Sequence, residues 1–318
     1  MCSSDLQIER RYGMFIHFGI NTFNNLEWSN GTLPISSYTP DDIDADSWVL
    51  NAKKAGMQYV IIITKHHDGF CLFDTQYTDY CVKNSPNKTD VVMEVSKACK
   101  KYGIGLGMYY SLWDRHEKCY KDDAKYVDYM CNQLTELLGG KYGDVCELWL
   151  DGAWDKKGSR WNVPKLYDCV KKLQPECAFA VNNTIGSQFK WHWLARRYMP
   201  FRYKEGMPIR YFPTDFRLAD PHFTRPGKDA DPKLYTYDNK KYYLPFEATV
   251  CMRTSGHLFL STKYLDAPPR TPEYIVEKYN HMIEQDNLLV INVAPNIHGK
   301  QEESDIAPLL KAKIMLGL

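Results

Sequence analysis

Residues 59–70 read YVIIITKHHDGF. From Tyr59 to Thr64 the run is dominated by β-branched residues and has no polar-apolar alternation. A strand covered on both faces needs that pattern, whereas a half-exposed strand alternates. The run empties into Lys65, His66, His67 and Asp68, so chemistry-bearing side chains collect at the strand's exit. Similar apolar runs recur along the chain: FIHFGI (15–20), GLGMYYS (105–111), CELWLDG (146–152), AFAVNN (178–183), YLPFEATV (243–250) and LLVINVAP (288–295).

Helical patterns fill the gaps. Ala45, Trp48, Val49, Ala52 and Ala55 follow a 3.6-residue period that Gly56 stops. Thr89 is the expected cap of a helix with Val92, Val95, Cys99 and Tyr102 on one face. Val127, Met130, Leu134, Leu137 and Leu138 form another stripe, closed by Gly139 and Gly140, and Leu166, Val170 and Leu173 a further one. Thr271 and Pro272 make a cap and first-turn pair for a helix carrying Ile275 and Met282. Strand–helix units of this length predict a parallel sheet. Their number favours an α/β fold of the (β/α)8 (TIM) type, with helices irregular or missing in the second half. No G-x-G-x-x-G opens a helix and no Walker A sequence occurs, so the nucleotide-binding folds lose their signature. Residues 185–242 lack clean periodicity and are expected to form an irregular wall beside the barrel. No linker is evident, so residues 1–318 are expected to be one catalytic domain without a C-terminal β-sandwich.

The 318 residues carry a net charge of +1, which argues against a nucleic-acid groove or an anionic-membrane patch. Ten cysteines show neither C-x-x-C nor zinc-finger spacing, so buried free thiols are expected rather than disulfides. The start lacks an apolar signal segment, and the apolar runs fall short of a membrane span. A cytoplasmic setting is the expectation. The aromatic content of 14% suits a sugar-binding cleft, and equally a large core.

Active sites of such barrels lie at the C-terminal ends of the strands. Those ends hold His17; then Lys65, His66, His67 and Asp68; Tyr109, Tyr110, Ser111, Trp113 and Asp114; Asp151 and Trp154; Asn182 and Asn183; and Glu247. Singly, an Asp there is often a cap and a His a packed imidazole, and Asp68 and Asp114 are read as loop hydrogen-bonders. Convergence on one face favours function. Asp151 is the sharpest residue, because a spare carboxylate at the end of a buried strand is costly. Two carboxyl groups, one ionised and one protonated, are the minimum for glycosidic cleavage, and Asp151 with Glu247 fits those roles. The apolar flanks of Glu247 would raise its pKa, as a general acid needs. A solvent-facing Glu247, or one paired with Arg253, is the structural alternative.

The runs RRYGMFIHFGINTF, TKHHDGF, GMYYSLWD and ELWLDGAW, with the closing LLVINVAPNIHGKQEESDIAPL, resemble family 29 glycoside hydrolases, the retaining α-L-fucosidases. The resemblance implies that Asp151 is the nucleophile that forms a covalent fucosyl-enzyme. It implies that His17, His66 and His67 bind the sugar hydroxyls and that Glu27 and Trp28 contact the sugar. Trp154, by its place at a strand end with Trp28, Tyr110 and Trp113, is expected to wall the pocket. Tyr110 matches a pocket tyrosine, with Tyr109 as the alternative in a register shifted by one. FEATVCMRTSG resembles the acid/base stretch of the subgroup acting on α-1,3/1,4-linked fucose, which makes Glu247 the acid/base. The implied substrate is a fucosylated oligosaccharide or glycoconjugate, with no metal and no cofactor. Two departures stand out. Asn182-Asn183-Thr184 replaces an N-D-R, and the aromatic of an R-P-G-W is absent near Arg253.

Two other readings compete. A metal-dependent hydrolase on the same barrel would use His66, His67 and Asp68. However, successive strand residues face opposite ways, so barrel metal sites favour H-x-H. A non-catalytic fucose-binding protein would keep the histidines and aromatics, and the retained Asp151 argues against it.

Overall fold

The computed structural model describes residues 9–186, 204–220 and 232–318. Ten strands are described. They are β1 (Tyr12–Ile16), β2 (Tyr59–Lys65), β3 (Gly105–Ser111), β4 (Val145–Asp151), β5 (Ala178–Val181), β6 (Arg217–Leu218), β7 (Leu234–Tyr237), β8 (Lys240–Tyr243), β9 (Phe246–Cys251) and β10 (Leu288–Asn292). Eight form one sheet in the order β5-β4-β3-β2-β1-β10-β9-β6. Every pairing in it is parallel. A parallel bridge between Asn182 and Leu218 joins the two edges and closes the barrel. The expected α/β barrel is therefore the observed one.

Among the described residues, six helices of at least ten residues pack outside the barrel: α1 (Ala45–Lys54), α2 (Val91–Tyr102), α3 (Asp123–Leu138), α4 (Val163–Leu173), α5 (Pro272–Ile283) and α6 (Glu303–Leu316). The apolar stripes face inward as their period requires: Trp48 and Val49 on α1 are fully buried, as are Met130 and Leu134 on α3. Trp48 also donates its indole N–H to the Gly299 carbonyl at 3.0 Å, tying the end of the chain to α1. Asp90, not Thr89, caps α2, because its carboxylate accepts the Met93 N–H at 3.0 Å. Thr271 caps α5 as expected.

Three expectations need correction. The first strand ends at Ile16, not Ile20. Its apolar run continues past the last ladder bond, so His17 stands just outside the strand. The segment 185–242 is more than a wall. Its described part supplies β6, which completes the barrel, and the β7–β8 hairpin. Asp238 and Asn239 turn that hairpin with φ of 47° and 60°, conformations that Asp and Asn tolerate best after glycine. The rest of the segment, 187–203 and 221–231, lies outside the described residues. The third concerns Tyr110. It points outward from β3 into the helix layer, where its hydroxyl donates to Gln133 Oε1 at 2.7 Å.

Lys65 points the same way, and its buried ammonium meets Asp114 at 2.8 Å, Tyr110 Oη at 3.0 Å and Tyr126 Oη at 3.2 Å. Burial pulls its pKa down, but Asp114, Tyr110 and Cys71 outweigh that and hold it above the ordinary lysine value. Lys65→Met should lower stability by about 3–5 kcal/mol, because Asp114 would then be buried without its counter-ion. Urea unfolding of both proteins measures the difference. A loss below about 1 kcal/mol would mean that water reaches Asp114.

Candidate active site

Asp151 is the last residue of β4 and only 7% exposed. Asn182, just past β5, donates to its Oδ1 at 2.9 Å, and Tyr109 Oη donates to its Oδ2 at 2.9 Å. Burial raises the carboxyl to about 6, against these hydrogen bonds and the Gly152 N–H, which favour the ionised form. Tyr109 is thus the pocket tyrosine and Tyr110 is not, since alternate strand residues face opposite sides. Gly152 has φ +78°, and a Cβ there would sit 2.7 Å from Trp113 Cβ, so the chain leaves β4 by a turn that only glycine fits.

The same Asn182 amide donates to the main-chain oxygen of Asp220 at 3.2 Å. Asp220 lies two residues beyond β6, so Asn182 holds two carboxylate-bearing residues from strands on either side of β5. Burial and then the negative charges of Asp151 and Glu27 push the Asp220 carboxyl up to about 7. An ionised Asp151 therefore faces a carboxyl that keeps its proton longer. That is the division of labour an acid and a nucleophile need. Sequence reasoning missed Asp220. The only signal was a buried Phe216–Ala219 run ending in Asp, the pattern that marked Asp151, but here interrupted by Arg217.

Glu247 is elsewhere. It is the second residue of β9, in register with Leu288, the first of β10. Its carboxylate accepts Tyr59 Oη at 2.7 Å and Trp149 Nε1 at 3.0 Å, and Tyr59 opens β2. This is the N-terminal half of the barrel. The rings of Phe15, Tyr109 and Trp149, with centroids 5.5–5.8 Å apart, pack in a layer above it. The anticipated pairing of Asp151 with Glu247 across the mouth is therefore not what the structure brings together. Arg253 does not pair with Glu247 either, since it meets Asp305 at 3.0 Å.

His17, His66 and His67 stand together, with His17–His66 and His66–His67 ring centroids 6.1 and 4.2 Å apart. β2 ends at Lys65, so both His66 and His67 are free of strand alternation. Burial lowers all three pKa values, to about 3 for His17 and His67, so the imidazoles are neutral at pH 7. Their neighbours fix two tautomers. Ser111 Oγ gives its single proton to the Trp113 carbonyl, so His67 Nδ1 must donate to Ser111 Oγ at 2.6 Å. Asn292 Nδ2 donates to the Leu258 carbonyl, so its Oδ1 accepts from His17 Nδ1 at 2.7 Å. Both rings thus keep Nε2 as a bare acceptor, and that of His67 lies 3.6 Å from Asp151 Oδ2. Ser111→Ala would leave a buried N–H without its partner. About a tenfold loss of kcat/KM is expected from that cost, read by steady-state kinetics. An unchanged value would remove the tautomer argument.

Trp28 is 48% exposed and stacks over Trp154 at 6.2 Å; both lie 5.5 Å from the His67 ring. Trp113 completes this aromatic wall, 5.3 Å from His67. Phe259 packs edge-on against His17 and His66. Both oxygens of Glu27 accept the Leu258 N–H at 3.1 Å, and His257 Nδ1 lies 3.4 Å away, so Glu27 anchors the loop that carries Phe259. Burial raises the Glu27 pKa against these contacts. Asp68 and Asp114 behave as loop hydrogen-bonders: Asp68 Oδ1 accepts the Phe70 N–H, and Asp114 Oδ1 the His116 and Glu117 N–H groups. Among the described residues no group of three His, Cys, Asp or Glu side chains is placed to hold a metal ion.

A buried carboxylate and a second carboxyl-bearing residue, tied through its main chain to the same Asn182 amide, on a parallel barrel mouth lined with neutral imidazoles and tryptophans, define the glycoside-hydrolase class of site. Comparison with known proteins narrows the class. Residues 6–203 match the family model described as Alpha-L-fucosidase, and the chain belongs to that family. It is 33% identical over 306 residues to Alpha-L-fucosidase 1 of Arabidopsis thaliana, covering 93% of this chain and 56% of that one. The alpha-L-fucosidase of Dictyostelium discoideum is 27% identical over 48% of this chain and 42% of its own length. Alpha-L-fucosidase isoenzyme 1 from Paenibacillus thiaminolyticus superposes with a TM-score of 0.77 at 25% identity, covering 99% of this chain and 75% of that structure. The chain spans about half the length of the Arabidopsis relative.

Proposed function

We propose that this chain removes terminal α-L-fucosyl residues from fucosylated oligosaccharides or glycoconjugates, with retention of configuration. The observation that carries the proposal is the Asp151–Asn182–Asp220 constellation at the barrel mouth. Asp151 attacks the anomeric carbon while Asp220 protonates the leaving oxygen. Asp220 then takes a proton from water, which releases the sugar from Asp151. Asp220 replaces Glu247 in the acid/base role, because Glu247 is sealed below the aromatic layer by Tyr59 and Trp149. Tyr109 and Asn182 each hold one oxygen of the nucleophile in place.

The pocket chemistry supports a neutral deoxy sugar. Neutral imidazoles with bare Nε2 atoms accept hydroxyl protons and would give an anion no charge complement. Lys65 is turned into the helix layer, and Arg115 lies over Trp113, 4.4 Å from its ring centre. The Trp28, Trp113 and Trp154 wall offers apolar surface for a methyl group and ring C–H bonds. His17, His66, His67, Trp28 and Trp154 are the proposed sugar-binding residues, with Glu27 at the edge. A preference for α-1,3/1,4 linkages rests on reading Glu247 in FEATVCMRTSG as the acid/base, and it loses that support once Asp220 takes the role.

A panel of aryl glycosides of fucose and galactose, both anomers and both hands, tests the reading. Hydrolysis of the α-L-fucoside with initial release of α-L-fucose, followed by NMR, is the expected result. Initial release of the β-anomer, or turnover confined to other sugars, would overturn it.

A further inference from the structure

Trp28 stands in a stretch with no helix or strand, between the helical turn Ile20–Phe23 and the 3-10 turn Ile35–Ser37. Among the described residues, no hydrogen bond between main-chain groups involves residues 27–33. Something else must therefore hold Trp28 beside the His67 ring. Three carbonyls of the loop, on the alternate residues Ser29, Gly31 and Leu33, are met by side chains from other segments. Arg115 Nη1 donates to the Ser29 oxygen at 2.7 Å, His116 Nδ1 to that of Gly31 at 2.7 Å and Tyr80 Oη to that of Leu33 at 3.0 Å. A carbonyl only accepts, so His116 Nδ1 carries a proton.

The clasp is close as well as polar. Gly31 has φ +79°, and a Cβ there would sit 2.6 Å from the Arg115 main-chain carbon, so only glycine lets the loop approach this far. The Tyr80 and His116 rings stack 4.1 Å apart, which joins two of the three donors. Arg115 reaches the pocket by three routes. Its own N–H donates to the His67 carbonyl at 3.0 Å. Its guanidinium covers Trp113, 4.4 Å from the ring centre. Its Nη1 holds the residue after Trp28, whose ring lies 5.5 Å from His67 and 6.0 Å from Trp113. After burial, the Arg115 charge is the largest influence keeping the His67 imidazole neutral.

We propose, resting on the α-L-fucosidase reading of the pocket, that Arg115 is a positioning residue which, with His116 and Tyr80, fastens the Trp28 loop over the sugar site. It acts through Trp28 and His67 and needs no contact with the reacting atoms. Asp151 and Asp220 come from β4 and from the chain beyond β6, so the chemical step does not depend on the loop once the sugar is bound. A loop docked a tenth of the time would raise the apparent dissociation constant about tenfold. The expected signature is a change in KM rather than in kcat.

The test compares the parent chain with Arg115→Met, Arg115→Lys and Tyr80→Phe in two assays. Met keeps an apolar cover on Trp113 and removes the donor, whereas Lys keeps one donor and the charge. Arg115 is exposed, so circular dichroism of its variants should match the parent. Limited chymotrypsin digestion, mapped by mass, reads the open loop without any substrate, because cleavage tracks the open population. In Arg115→Met, cleavage after Trp28 should quicken about tenfold, the cost of one charged hydrogen bond. Its KM for an aryl α-L-fucoside should rise about tenfold with kcat within about twofold of the parent. Arg115→Lys should recover part of both effects, and Tyr80→Phe should shift both in the same direction by less. Unchanged cleavage after Trp28 in Arg115→Met would overturn the clasp. A kcat that falls while KM stays constant would overturn the positioning role. A parent chain that hydrolyses no α-L-fucoside would instead overturn the fucosidase reading, and chymotrypsin would still judge the clasp.

Discussion

Asp151→Asn is expected to lower kcat by about four orders of magnitude, as loss of a catalytic nucleophile does. An amide of nearly the same size cannot attack the anomeric carbon as a carboxylate does. The substitution also disturbs the local hydrogen bonds in a predictable way. Oδ1 and Oδ2 of Asp151 accept from Asn182 and Tyr109. An asparagine has one acceptor oxygen, so its NH2 must face one of these two donors. A modest fall in Tm should therefore accompany the large fall in rate. A kcat within tenfold of the parent would remove Asp151 from the nucleophile role.

Asp220→Asn is the second large effect, an expected loss of about 10²–10⁴ in kcat for natural leaving groups. Activated aryl leaving groups need little protonation, so their first step should suffer far less. The pH profile separates Asp220 from other acids. Asp151 must be ionised, so kcat/KM should fall as pH drops through about 6. Asp220 must be protonated, so kcat/KM should fall as pH rises through about 7. The parent enzyme then shows a narrow bell, and Asp220→Asn should lose the alkaline limb and keep the acid one. Glu247→Gln should reduce stability through its contacts with Tyr59 and Trp149 while leaving the alkaline limb in place. An alkaline limb that survives in Asp220→Asn but vanishes in Glu247→Gln would restore the Glu247 assignment.

Much of this architecture was legible in the chain because buried parallel strands announce themselves. YVIIIT and ELWLD need no periodicity to read, and their exits carried His66, His67 and Asp151. What stayed hidden has physical causes. β6 is two residues long, and its Arg217 breaks the apolar run, so neither length nor period marked it, and Asp220 was hidden with it. Tyr109 and Tyr110 are adjacent on one strand, and only the register of β3 against β2 and β4 tells which faces inward. Glu247 failed for a related reason. Its apolar flanks marked a buried carboxyl, but a sequence run does not tell the first turn of the barrel from the last. The tautomers of His17 and His67 depend on Asn292 and Ser111, which come close only when the barrel closes.

The most direct test is covalent trapping. The chain should be incubated with 2-deoxy-2-fluoro-α-L-fucosyl fluoride, a substrate whose fluorine slows release of the sugar-enzyme more than its formation. Intact mass and peptide mapping then locate the adduct. A single fluorofucosyl ester on the peptide carrying Asp151, absent in Asp151→Asn, is the expected result. A label on another carboxylate, or none from a chain that turns over aryl α-L-fucosides, would contradict nucleophilic catalysis by Asp151.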